Sequence, residues 1–290
     1  MSHYTSKNNL TSLQAFIFLS PILCLLLSCQ TVLKLKKWQQ KKLQSQRNSL
    51  AMEFVRIPKG EFSMGCTSDD LDCDEDEKPQ HTVHIEKNFW FAKAEVTRKD
   101  FAKFVAATRY KTDAEKAHSA HTWKNCHGHS KQASLPVICV SWNDAKAFAT
   151  WLSRKEGKTY RLPSEEEWEY AARGNSPTRF YWGIDMDDTH AWFKKNAERA
   201  LHPIKTKIPN AYDVYDTSGN VWEWCEDSYI ANQYQKKSGN KKVQLTAALG
   251  KVLRGGSWFE GSSFQRMSTR SFAPAKVSDE HYGFRLVRVD

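Results

Sequence analysis

Residues 209–227, PNAYDVYDTSGNVWEWCED, constrain the chain more than any other stretch. A turn-forming run, Asp216-Thr217-Ser218-Gly219-Asn220, leads straight into an aromatic cluster, Trp222-Glu223-Trp224. Two readings fit that spacing. One is an Asx-turn feeding a core strand with a buried Trp pair. The other is a loop for a hard cation, because Gly219 lets the backbone take positive φ and aim carbonyls inward. The Asp216 and Glu223 carboxylates and the carbonyls of Gly219 and Val221 would then supply four of the about six to eight oxygens that calcium takes. The spacing is not that of an EF-hand loop, and the residues alone leave both readings open.

The rest of the composition points the same way. Eleven Trp, fifteen Phe and ten Tyr in 290 residues favour a rigid, loop-rich fold over a helical bundle. The length suits one large domain or two small ones. A net charge of +10 suggests a polyanion partner, but residues 1–50 hold seven of the basic residues and no acid. The remainder has 36 basic against 33 acidic groups. The charge therefore belongs to the N-terminal segment, and nucleic-acid binding is not expected.

That segment opens with an apolar run, Leu13–Leu27, and ends in Leu26-Leu27-Ser28-Cys29. The pattern resembles an export signal with a bacterial lipobox, in which Cys29 is lipidated and the acyl chains anchor the domain. An uncleaved membrane span is the rival reading. Gln30 after the cysteine favours the outer membrane, facing the periplasm of a bacterial cell envelope. Residues 1–29 are thus expected as a signal peptide, 30–50 as a basic polar tether and 51–290 as the folded domain.

Along the domain, Phe54–Ile57 and Glu61–Gly65 read as a hairpin turning at Pro58-Lys59-Gly60. Cys66 and Cys73, in an exported chain, are expected to close a small disulfide loop. Thr97 is expected to cap one helix and Asn143 another, spanning Asp144–Lys155. Ser164 with Glu167 forms a capping box, so the run Glu165-Glu166-Glu167 reads as structural. Leu135–Trp142 reads as a buried strand. His118, His121, Cys126, His127 and His129 cluster in a loop but match no standard metal-ligand spacing. The pairing of Cys126, Cys139 and Cys225 stays open.

Taken in order, MG (64–65), EVT (95–97), PVICVSWNDA (136–145), YRLPSEEEWEYAAR (160–173), HPI (202–204), PNAYDVYD (209–216), GNVWEW (219–224), RGGSW (254–258) and GFRLVR (283–288) resemble the formylglycine-generating enzyme family, also called the sulfatase-modifying factor family. The resemblance implies an α+β, C-type-lectin-like fold with little regular secondary structure. It also implies calcium held by Asp216, Gly219, Val221 and Glu223.

Catalytic members convert a client cysteine to formylglycine with oxygen and copper held by two cysteines, five residues apart, just after the GGS-aromatic motif. Here those places hold Glu260 and Gln265, and no Cys follows Cys225. Copper(I) needs soft thiolates, so no copper is expected. The expectation is therefore a membrane-anchored peptide- or protein-binding or regulatory module. The alternative is an oxidoreductase of a peptide-like substrate working from Glu260, Ser257 and Arg270 in the cleft.

Overall fold

The computed structural model describes residues 43–126 and 132–290, so the expected signal peptide and Cys29 lie outside the described residues. The strands are β1 (Ser45–Arg47), β2 (Glu53–Ile57), β3 (Gly60–Met64), β4 (His81–Ile85), β5 (Phe89–Ala92), β6 (Thr159–Arg161), β7 (Trp222–Tyr229), β8 (Gly250–Arg254), β9 (Arg270–Ala273), β10 (Tyr282–Gly283) and β11 (Val287–Val289). The α-helices are α1 (Arg98–Thr108), α2 (Asp113–Lys116), α3 (Trp142–Glu156), α4 (Glu165–Arg173) and α5 (Gln233–Lys237). Three sheets form, in the orders β1-β2-β5-β11-β6, β10-β7-β8-β9 and β3-β4. Long connections between short elements make this the α+β, low-regularity architecture that the motifs imply.

Several expectations need correcting. The domain begins before residue 51, because β1 pairs with β2 from Ser45↔Val55 to Arg47↔Glu53. Leu50 is buried, and Ser49 N–H and Oγ both donate to Glu156. Ser45-Gln46-Arg47 is an edge strand exposed at every residue, so its backbone pairing leaves no apolar signal in the sequence. β2 and β3 are not a hairpin either. β2 lies between β1 and β5, whereas β3 pairs with β4. The alternating burial of β4, with His81, Val83 and Ile85 inside, gives β3 a half-buried partner.

The helix caps follow the side-chain chemistry. Thr97 accepts from Asp100 N–H, and Ser164 and Glu167 form the expected capping box. For α3 the cap is Ser141, two residues before Asn143, with Asp144 closing the box. The preceding residues 135–141 are buried but form no strand, and Cys139 turns the chain at φ 55°. α1 and α3 pack Phe101, Phe104 and Phe148 into one aromatic core, with Phe101 and Phe148 stacked at 6.0 Å. Disulfides join Cys66 to Cys73 and Cys126 to Cys139. Cys225 is left as a buried free thiol, pushed well up by burial and by Glu165 nearby.

Candidate functional site

The segment 216–227 does two things. Asp216, Gly219 and Asn220 all have positive φ, at 58°, 84° and 61°, which curls the chain sharply before β7. The Gly219 position is obligatory, since a Cβ there would lie 2.1 Å from the Trp192 carbonyl oxygen. β7 then carries Glu223 inward, where it is 1 % exposed.

Inside, three carboxyl groups meet one arginine. Arg285 donates to Glu223 through Nε at 2.6 Å and Nη2 at 2.6 Å, and Trp168 Nε1 adds a third bond at 2.8 Å. Asp216 Oδ2 accepts the Lys205 N–H at 2.7 Å, and Glu95 Oε1 accepts from Asn220 Nδ2 at 3.0 Å. The other oxygens, Asp216 Oδ1 and Glu95 Oε2, are buried and meet no N–H or O–H donor. Burial, with the Asp216 charge added, pushes Glu95 well above the ordinary carboxylate range against Arg285. Burial likewise raises Asp216, against the Lys205 N–H and Arg285.

The donors of this knot are the oxygen type that a hard cation takes, although Glu95, Asp216 and Glu223 are not gathered as closely as Asp70, Cys73 and Glu77. The knot holds more carboxylates than cationic groups, and Asp216 Oδ1 and Glu95 Oε2 are buried without a donor. Among the described residues, no hydrogen bond is formed to the carbonyls of Gly219 or Val221. The expected residues Asp216 and Glu223 come together, and Glu95 joins them from the end of β5. Glu95 escapes sequence reasoning because it stands more than a hundred residues away with no periodic signal.

The second site is the turn after β8, where the sequence leads one to expect a cleft. Gly255 and Gly256, both at positive φ, end the strand and turn Ser257 inward. The Ser257 hydroxyl donates to Glu260 Oε2, while Trp222 Nε1 donates to Oε1 at 3.1 Å. Gln265 is fully buried, and its amide donates to the carbonyls of Ser257 and Gly261, each at 3.2 Å. Phe259 and Phe264 flank the turn at 53 % and 46 % exposure. His281 completes it, with its ring 4.9 Å from Phe259 and 5.1 Å from Trp258. Burial alone would lower the His281 ring; the Asp279 carboxylate bonded to Nδ1 outweighs it and raises it.

Ser257 and Glu260 are thus brought together, but Arg270 is not with them. Arg270 is buried against Glu165 at 2.7 Å, with its guanidinium over the rings of Tyr234 and Tyr229. Arg254, directly opposite Arg270 across β8 and β9, bonds Glu169 and lies 3.5 Å from Glu165. Copper does not fit the turn after β8, because a carboxylate and an amide already locked to the backbone replace soft donors. The histidine cluster also loses its soft ligand, since Cys126 is in a disulfide. His118 and His121 are exposed, and His127 and His129 lie outside the described residues. Two tight groups, Asp70/Cys73/Glu77 and Asp74/Asp76/Glu77, resemble metal sites. In the first, Arg266 already bonds both Asp70 and Glu77, and Cys73 is oxidised.

The family model of the sulfatase-modifying factor enzyme 1-like domain matches residues 39–289. The chain belongs to this family. It is 31 % identical to the formylglycine-generating enzyme of Streptomyces coelicolor over 80 % of this chain and 87 % of that one. It is 32 % identical to the inactive C-alpha-formylglycine-generating enzyme 2 of Bos taurus, over 82 % of this chain and 88 % of that one. Among solved structures, PvdO from Pseudomonas aeruginosa is similar, with a TM-score of 0.72 and 29 % identity, covering 86 % of this chain and 99 % of that one. In this sulfatase-modifying factor domain the carboxylate knot and the Ser257–Glu260 pair meet along one short segment, Asp216–Glu223.

Proposed function

We propose that this sulfatase-modifying factor domain is a binding module and does not make formylglycine from a cysteine. One observation carries the reading: the two positions where the family resemblance implies thiols hold Glu260 and Gln265, each engaged in hydrogen bonds at the turn after β8. A site so arranged has no soft donor for copper. The exposed rings of Phe259 and Phe264 instead offer an apolar rim for a peptide or a second envelope protein. Calcium, held by Asp216, Gly219, Val221 and Glu223 with Glu95 beside them, would neutralise the knot and stiffen the loop behind that turn. A lipid on Cys29 would tether the domain to the bacterial envelope, in the outer membrane facing the periplasm. Among the described residues, no helix is long and apolar enough to cross a membrane.

The test is direct turnover. The full chain, supplied with copper, oxygen and a cysteine-containing peptide, is expected to leave that peptide unchanged by mass spectrometry. Conversion of the cysteine would overturn the reading. Peptide-dependent oxygen uptake that disappears in Glu260→Gln would replace it with an oxidoreductase in which Glu260 serves as acid or base.

A further inference from the structure

A separate cavity of about 340 Å³ opens between β3, the Cys66–Cys73 loop and the end of α4. It shares no lining residue with the carboxylate knot or the Ser257–Glu260 pair. Its volume is that of roughly ten waters, enough for a single ring with its substituents. Its floor is aromatic, with Phe62 and Tyr170 in contact at 5.2 Å. Around the floor stand neutral hydrogen-bonding side chains, chief among them Gln80 and Asn175, both exposed, with Ser63, Ser68 and Ser176 between them.

Two buried donors at this cavity are not fully used. Thr67 is 4 % exposed, and its hydroxyl makes no hydrogen bond of ordinary geometry, although Asp69 lies nearby. Arg173 is 3 % exposed and has five N–H groups. Nε and Nη2 donate to Glu169, Nη2 also to the Gly65 carbonyl and Nη1 to the Thr178 carbonyl. Among the described residues, one Nη1 hydrogen is left without an acceptor. An acceptor oxygen entering the cavity would satisfy it.

Charge decides the class of ligand. Glu169 already bonds Arg173, and the Glu61 carboxylate stands at the mouth of the cavity with its side chain 70 % exposed. No free guanidinium therefore remains to hold an anion, and a solvated carboxylate at the mouth gives a cation little grip. We propose that this cavity binds a neutral polyhydroxylated ring, that is, one saccharide unit. Its C–H face would lie on Phe62 and Tyr170, and its hydroxyls would bond Arg173, Thr67, Gln80 and Asn175. The staple from Cys66 to Cys73 and the anchoring of Arg173 hold these groups in place before any ligand arrives, which lowers the ordering cost of binding.

The test is saturation-transfer NMR on the full chain, with glucose, maltotriose, glucosamine and glucose 6-phosphate as probes. Signal from the neutral sugars is expected, with the two charged sugars bound at least about tenfold more weakly. Phe62→Ala and Gln80→Ala should each weaken neutral-sugar binding by about tenfold. Asn175→Gly should weaken it too, while leaving the backbone free to keep its φ of 73°. Thermal melting confirms that each variant is folded. Glucose binding as tightly as maltotriose would mark a free sugar as the ligand, and tighter maltotriose binding an oligosaccharide; either supports the proposal. Absence of any neutral-sugar signal up to about ten millimolar, equal binding of the charged sugars, or signal unmoved in all three variants would overturn it.

Discussion

Two buried charge clusters in this domain use the same residue types and reach opposite electrostatic outcomes. Beneath α4, Glu165 and Glu169 face Arg254, Arg270 and Arg173, so every carboxylate has a guanidinium partner. Burial would raise Glu165, but Arg270 and Arg254 prevail and hold it below its ordinary range. Behind β7, Glu95, Asp216 and Glu223 have Arg285 as their shared guanidinium, and Glu95 and Asp216 are pushed up. Burial is equal in the two places, so stoichiometry makes the difference. An arginine-rich cluster keeps its carboxylates ionised, whereas an acid-rich one raises their affinity for protons.

The largest effect is expected from removing the guanidinium shared by the two glutamates of the arginine-rich cluster. Arg254→Met would leave Glu169 with Arg173 alone, strip the buried Ser268 and Met267 carbonyls of their donors and cost about 3–5 kcal/mol, read as a fall in the denaturant midpoint. A loss below about 1 kcal/mol would mean that Glu165 and Glu169 are adequately held by Arg270 and Arg173 alone.

A smaller effect should separate the clusters by sign. Glu165 binds fewer protons folded than unfolded, so its contribution is present above the ordinary carboxylate value and is lost as pH falls through its lowered one. Glu95 and Asp216 bind more protons folded, so their contribution is full below that value and is lost as pH rises through their raised ones. In chelator, stability measured against pH should therefore fall on both sides, and Asp216→Asn should remove part of the neutral-side fall while leaving the acid limb. Identical profiles for the two proteins would place the neutral-side titration elsewhere.

How much of this was legible in the sequence depends on the range of each interaction. Thr97, Ser164 and the Cys66–Cys73 loop act over a few residues, and their patterns pointed to the structure that forms. Asp216 and Glu223 were legible as a pair because one turn joins them. Glu95 and Arg285 reach the same knot from the far ends of the domain, and no local pattern announces such a meeting. Arg270 failed for a related reason: strand register, not sequence proximity to Ser257, sets it opposite Arg254 and aims both at α4. β1 was missed because an edge strand held by backbone bonds alone needs no apolar residues.

The most direct measurement is metal analysis of the purified full chain by mass spectrometry, before and after EDTA, paired with thermal melting. About one calcium per chain and no copper is the expected result. With calcium at a hundred times its Kd, stabilisation of about 2.7 kcal/mol should disappear on chelation and be absent in Asp216→Asn. Stoichiometric copper or iron, or melting that EDTA leaves unchanged, would contradict a calcium-stiffened binding module.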